Sequence, residues 1–273
     1  MILVIDAFNR DAHKAVIQDM FRLRARVFRD RLGWDVDVED GMEIDAFDKL
    51  DPVYLIGFDA RFDVISCVRL LQTTGPHMLA DVFSDILMGE PPLRAPTLWE
   101  STRFCVDTER LSQTDRGPGS VARATSELMS ATLEYAQDCG ITDIITVIDP
   151  IMNRVLKRSD NTPCGYVGET VQMGKTKALA ALLDCTTDRI ERVRAFAGIE
   201  GNIRVDETHL AQRRAAREQV NRNRCTVTDE VAHYLMQQID MATDMQELEA
   251  ALALVQHMIG AGRARAKDTA LNS

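Results

Sequence analysis

Aromatic side chains are scarce here, at 5% of 273 residues, so rings that fall beside charged residues stand out. A run of about 18 apolar residues occurs nowhere, which argues against a membrane-spanning helix. The opening MILVIDAFNRD meets charge after five residues, too early for a signal peptide. The expectation is a cytoplasmic protein with no membrane partner. Basic residues are outnumbered, 32 against 42 acidic, and the net charge of −10 argues against a nucleic-acid-binding surface over the whole molecule. The cysteines Cys67, Cys105, Cys139, Cys164, Cys185 and Cys225 lack metal-ligand spacing. They read as buried thiols of a reducing compartment, and no metal is expected. Proline disappears after Pro163, and no repeat or low-complexity tract is visible.

What is present is an ordinary globular composition, 45% apolar and 27% charged. The length exceeds one usual domain and falls short of two, so a catalytic-sized domain over 1–200 and a helical extension over 201–273 are expected. Residues 2–6 read as a strand, and Ala12, Val16, Met20, Leu23 and Val27 predict one helix over 10–31. After Trp34 the periodicity stops and a loop is expected. The runs 53–60 and 64–72 predict a hairpin, 78–86 a short helix, and 97–106 a central strand. A helix over 119–139 is closed by Gly140, a strand follows over 141–148, and Pro150 opens a helix to Arg158. GYVGET and KALAALLDC are the remaining strand candidates. The fold class is therefore α/β, a mixed sheet flanked by helices. Beyond it, helical patterns cover 188–197, 207–223, 228–240 and 244–260, with Thr228 and Thr243 as caps and a fraying tail.

Residues 35–51 carry Asp35, Asp37, Glu39, Asp40, Glu43, Asp45, Asp48 and Asp51 against Lys49 alone. Such a density repels itself unless solvent or a cation screens it. The readings are a solvated loop or a site for a cationic ligand; the spacing of an EF-hand calcium loop is not met. The stretch ESTRF puts Glu100 and Arg103 inside an apolar strand, where charges need partners or a purpose. Three apart, they point to opposite faces unless a bulge re-aims one. Arg69 poses the same question in the preceding strand. Arg24 and Phe28 share a helix face at i and i+4, while Phe28 and Trp34 would ordinarily be core.

Taken together these motifs resemble the LuxI-type N-acyl-homoserine lactone synthases, the autoinducer synthases of quorum sensing, over residues 1 to about 190. The resemblance lies in LRARVFRDRLGWDV (Arg24, Val27, Phe28, Leu32, Trp34), EIDAFD (Glu43, Asp45, Asp48), CVRLLQTTGPHML (Arg69), Phe83, ESTRFCVD (Glu100, Arg103, Phe104) and IITVIDPIMNRVLKRS. It implies an N-acetyltransferase-like sheet with a V-shaped opening, and two substrates. One is S-adenosylmethionine, a substrate and not a cofactor, so no cofactor is expected. The other is an acyl group on acyl carrier protein or coenzyme A. The amine is acylated, and the carboxylate then closes the lactone with release of methylthioadenosine.

S-adenosylmethionine carries a net charge near +1, so Asp45 and Asp48 would attract it, and Arg24, Arg69 or Arg103 would hold its carboxylate. Phe28, Trp34, Phe83 and Phe104 are the expected apolar contacts. Glu100 is the favoured base for the amine, with Glu43 as the other candidate and Arg103 beside them. Thr146, Val147 and Ile148 are expected to line the acyl pocket. An acidic carrier protein calls for a basic face, which Arg154, Lys157 and Arg158 supply at i, i+3 and i+4, with Lys175 and Lys177 extending it. Where the family often has Gly-Trp after the Lys-Arg of this helix, the chain reads KRSDNTPCGYVG. The arginines 213, 214, 217, 222 and 224 have no family counterpart and read as a solvated or subunit-facing helix. Oligomeric state is not readable. The alternatives are an acyltransferase acting on another amine and a noncatalytic binding module.

Overall fold

The computed structural model describes residues 1–114, 119–224, 227–242 and 245–271. The chain divides into two compact units, Met1–Glu200 and Gly201–Ser273. The Thr243 cap and Cys225 lie outside the described residues.

The first unit opens with β1 (Ile2–Ile5). The predicted helix over 10–31 is three pieces: a 3₁₀ turn Arg10–His13, α1 (Lys14–Arg24) and a π-helical segment Ala25–Arg31. The wider π turn adds a residue per turn, so Arg24, Ala25, Val27 and Phe28 all face inward. Gly33, at φ +64°, ends it, the left-handed closure that glycine makes without a Cβ penalty. The expected loop after Trp34 holds a small hairpin, β2 (Val38–Glu39) and β3 (Met42–Glu43). Asp40 and Gly41 turn it, both at positive φ, the Asp-Gly chemistry of a two-residue turn. Asp45 then caps the 3₁₀ turn Ala46–Lys49.

The main strands are β4 (Val53–Phe58) and β5 (Val64–Gln72), joined as the expected hairpin, then β6 (Leu98–Val106) and β7 (Asp143–Ile148). Between β5 and β6 lie α2 (Met78–Asp81) and the 3₁₀ turn Ser84–Leu87. Helices α3 (Thr108–Thr114) and α4 (Ser120–Asp138) follow β6, and α5 (Pro150–Arg158) follows β7, capped by Asp149. The unit closes with β8 (Gly165–Met173), β9 (Thr176–Asp184) and α6 (Thr187–Ala197). Within this unit the strand order is β1-β4-β5-β6-β7-β9-β8. Every neighbouring pair is antiparallel except β6 and β7, which run parallel. Their pairing covers Leu98–Ser101 against Asp143–Thr146 and stops there. Past that point β6 continues beside β5 and β7 beside β9, which is the V-shaped opening.

Strand alternation assigns the two faces. Trp99, Ile144, Ile148, Ala181 and Leu183 pack against α4 and α6 through Met129, Leu133, Ile190 and Val193. On the other face Leu98, Ile145, Ala178 and Ala180 pack with Leu79 of α2 and Ile86. Gly168, at φ +65° in the bulge of β8, passes so close to Ile86 that a Cβ there would stand 1.9 Å from its carbonyl oxygen.

The second unit contains α7 (Glu207–Arg222), α8 (Asp229–Met241) and α9 (Met245–Leu271) around Val220, Leu235, Ile239, Leu248 and Val255. Thr228 caps α8 as expected. α9 is helical as far as Leu271. The basic run is not uniformly solvated: Arg213 is buried, donating to His209 Nε2 and to the Ala242 carbonyl, and Arg217 pairs with Asp240. These guanidiniums tie α7 to the end of α8, since a buried cation needs acceptors. No helix among the described residues is long and apolar enough to cross a membrane.

Candidate active site

The acid-rich segment finds its counter-charges inside the chain. Three of its carboxylates, Glu43, Asp45 and Asp48, meet Arg24 from α1, Arg69 from β5 and Arg103 from β6. Arg24 donates from Nε to Glu43 (2.5 Å) and from Nη1 and Nη2 to the two oxygens of Asp48 (2.8 and 2.9 Å). Arg69 donates from Nη1 to Asp45 and Asp48 (2.5 and 2.7 Å) and from Nη2 to Asp45 (2.9 Å). Arg103 holds Glu43 at 3.0 Å and Asp45 at 2.8 Å. Three guanidiniums thus face three carboxylates, a balance that lets them be buried together. The rest of the segment, Asp35, Asp37, Glu39, Asp40 and Asp51, is solvent-exposed. The acid density is therefore neither wholly a solvated loop nor wholly open for an outside cation.

Burial divides the network into a floor and a lip. The side chains of Arg24, Arg69, Glu43 and Asp48 are at most 2% exposed, whereas Arg103 is 12% and Asp45 19% exposed. The nearby guanidiniums of Arg24 and Arg69 hold Asp48 far below the usual carboxylate range against the opposing effect of its burial. The expectation that Arg24 holds a substrate carboxylate is corrected by this geometry: its donors are used on Glu43 and Asp48 in the floor. Asp48 likewise supports the lip without reaching it.

The backbone explains why Arg103 joins the network. From Cys67 to Arg69 the β5 register advances two residues while β6 moves three, from Cys105 to Thr102. That extra residue is a bulge, and Arg103 adopts φ +54° in it. The re-aimed side chain lands on the same face as Glu100, resolving the parity conflict expected of residues three apart. Phe104 is displaced to the opposite face, against the cluster of Met129 and Leu133, so it does not join the charged site as expected.

Glu100 is fully buried on the floor side. Its oxygens accept the backbone N–H groups of Met78 and Leu79, each at 2.6 Å, at the start of α2. Burial pushes its pKa up to about 7, against the lowering effect of those two N–H groups and of Arg69. Each carboxylate oxygen retains a second lone pair, so the group can still accept a proton.

Each guanidinium also lies over a ring: Arg24 over Phe21 (5.1 Å), Arg69 over Phe47 (5.6 Å) and Arg103 over Phe28 (5.6 Å). Phe28 is buried and stacks at 5.0 Å and 19° on Trp34, which remains 42% exposed. Trp34 therefore offers a ring to a ligand, and Phe28 backs it. Phe83 is separate from the ion network and packs with Leu79 and Leu98.

Thr146 stands where β6 and β7 part, and its hydroxyl donates to the Ser101 carbonyl at 3.0 Å. Ile148 shares its face, but Val147 packs on the other side with Leu98 and Ile145. A strand's period of two prevents the three from lining one pocket. Arg154, Lys157 and Arg158 are all exposed on α5, Lys157 lying 6.0 Å from the Tyr166 ring. Lys175 and Lys177 are exposed around the β8–β9 turn.

The sequence reading overlooked Tyr54, Thr102, Met78, Phe21 and Phe47. Tyr54 donates to Asp48 and Thr102 accepts from Arg69 Nε. The Met78 sulfur lies 3.3 Å from Arg69 Nη2 and 3.6 Å from Arg103 Nη1. The available signal was a tyrosine in an apolar strand, since a buried phenol seeks a polar partner.

Where β6 and β7 part after Ser101, one face of β6 carries both the buried Glu100 and the Arg103 end of the charge network, an arrangement that can take up a proton beside ionic groups. The autoinducer synthase family model matches residues 8–193. The probable acyl-homoserine-lactone synthase of Sinorhizobium fredii is 36% identical over 193 residues, covering 71% of this chain and 91% of that protein. The acyl-homoserine-lactone synthase of Agrobacterium fabrum is 36% identical over 193 residues, covering 70% and 90%. Among solved structures, the CoA-dependent acyl-homoserine lactone synthase MesI matches with TM-score 0.64 at 27% identity, over 76% of this chain and 100% of its own. BjaI, a CoA-dependent synthase solved with SAM and isopentyl-CoA, matches with TM-score 0.66 at 25% identity, over 75% and 92%. The chain belongs to the autoinducer synthase family.

Proposed function

We propose that this protein is an acyl-homoserine-lactone synthase that uses S-adenosylmethionine and an acyl thioester. The observation that carries this reading is the lip of Asp45 and Arg103 beside exposed Trp34, with buried Glu100 across the same face. Asp45 attracts the cationic substrate, Arg103 holds its carboxylate, and Trp34 gives the sulfonium or adenine a ring. Glu100 takes the proton of the substrate ammonium. The neutral amine attacks the thioester carbon, the acyl–sulfur bond breaks, and the thiol leaves with a proton. The carboxylate of the acylated product then displaces methylthioadenosine from its own carbon chain, a step that needs positioning more than catalysis because the sulfonium leaves readily. Glu43 is a weaker candidate for the base, since its oxygens already accept from both Arg24 and Arg103.

The acyl group enters where β6 and β7 part, beside Thr146, and the exposed Arg154, Lys157 and Arg158 suit an acidic carrier protein. Purified protein given S-adenosylmethionine and a panel of acyl carrier and coenzyme A thioesters should release methylthioadenosine and an acyl-lactone, read by mass spectrometry. Absence of lactone with every donor would sink the proposal. An acylated product of another amine, without methylthioadenosine, would replace it.

A further inference from the structure

We propose that Tyr54 is a positioning residue for the substrate-facing Asp45, acting through Asp48 and Arg69, and that its hydroxyl sets how tightly S-adenosylmethionine is held. The inference rests on the reading above that this face takes that substrate.

Tyr54, Arg69 and Thr102 form one cross-strand row, Tyr54 opposite Arg69 and Arg69 opposite Thr102. Tyr54 is 1% exposed and donates from its hydroxyl to Asp48 Oδ1 at 2.7 Å. The same oxygen accepts from Arg24 Nη1 at 2.8 Å and Arg69 Nη1 at 2.7 Å. Oδ2 accepts from Arg24 Nη2 at 2.9 Å and from the Asp45 backbone N–H at 2.8 Å. Tyr54 is thus the neutral side-chain donor in a shell otherwise made of two guanidiniums and one backbone amide. It fixes Asp48 without adding charge, and Asp48 and Thr102 between them hold Arg69 from both sides. Arg69 in turn grips both oxygens of Asp45, the acid that reaches the lip.

The ring is held independently of its hydroxyl. Phe21 meets it edge-on at 6.2 Å and 90°, and the Arg10 guanidinium lies 5.4 Å from its centroid. Burial and the neighbouring Asp48 push the phenol's pKa well above its ordinary value, so it remains a donor at any working pH. Removing the hydroxyl leaves Oδ1 with guanidinium donors alone, so the setting of Asp48 against Arg69, and through it the aim of Asp45, loses one fixed point.

The test is Tyr54→Phe in the full-length protein, with S-adenosylmethionine binding followed by calorimetry and turnover by methylthioadenosine release. Loss of a hydrogen bond to a charged group predicts a Kd and KM for S-adenosylmethionine raised roughly tenfold. The KM for the acyl thioester and kcat should stay within about twofold, because the chain from Tyr54 ends at Asp45, which faces S-adenosylmethionine, and not at Glu100. Asp45→Asn supplies the second arm. In its background Tyr54→Phe should have a clearly smaller effect on Kd, whereas full additivity would overturn action through Asp45. Equal Kd values for wild type and Tyr54→Phe would also overturn the proposal, as would a lowered melting temperature with unchanged Kd. Failure of the wild-type protein to bind S-adenosylmethionine would instead overturn the functional reading on which the proposal rests.

Discussion

Glu100 carries two opposing demands in one carboxyl. As the cap of α2 it must be an acceptor for Met78 and Leu79, and as a base it must take a proton near neutrality; burial reconciles these by lifting its pKa to about 7. Because the charged form is the base, the rate should fall as pH drops through about 7. Glu100→Gln should lower kcat by about 100-fold or more and abolish that limb, while the Kd for S-adenosylmethionine stays within a few-fold; rate profiles and calorimetry together check this. The same shift acts on stability. The folded state holds the proton more tightly than the unfolded chain, so this group's contribution is full below the unfolded value near 4.5 and is lost as pH rises through about 7. Denaturant midpoints of Glu100→Gln measured across that window should depend less on pH than those of the wild type. The sequence made the charged residues legible, because charges in an apolar strand demand an account. It did not show that Glu43, Asp45 and Asp48 already own three arginines, since the arginines lie on three separate elements. Thr102 carries no charge, and nothing in a strand's pattern separates it from ordinary core until the register is known; Tyr54 signals only that its phenol needs a polar partner, not which one.

At the scale of elements, the strongly periodic segments were legible and the irregular ones were not. The hairpin over 53–72, the helix closed by Gly140 and the helix opened by Pro150 follow from alternation and capping chemistry. The π segment Ala25–Arg31 did not, because its apolar residues fit a continuous α-helix equally well. The Asp40-Gly41 turn was readable as hairpin chemistry, but two-residue strands are too short to register as a pattern. The bulge at Arg103 was foreseen only as a condition. Gly168 and Gly174 offer a test of how tightly β8 is held. Both have positive φ, yet a Cβ would meet backbone only at Gly168. Gly174→Ala should cost about 1 kcal/mol for the left-handed conformation alone, and Gly168→Ala several times that, read as the difference between their unfolding free energies. Equal costs would mean that β8 yields freely at Ile86.

For the whole molecule, net charge is a poor guide and its distribution a better one. The −10 total conceals a neutral network at the site and an exposed cationic face on α5. Reversing Arg154, Lys157 and Arg158 to glutamate should raise KM for an acyl carrier protein donor roughly tenfold or more at low salt, with little effect on KM for S-adenosylmethionine. The wild-type KM for that donor should rise with ionic strength as the attraction is screened. An unchanged KM in the triple variant would remove this face from donor recognition. The helices of the second unit lie outside the residues that the family model matches, and their pattern was legible although their role in the enzyme was not.

The pairing of Glu43, Asp45 and Asp48 with arginines 19 to 60 residues distant also sets an order of events in folding. An isolated segment 35–51 has nothing to condense upon, and loop closure must come before such long-range contacts reward it. Sheet pairing of β5 with β6 brings Arg69 and Arg103 together, which completes the set of arginines that the acidic segment packs on. Amide hydrogens around Asp45 and Asp48 should therefore gain protection after those of β5 during refolding, making this segment a late reporter of a completed sheet.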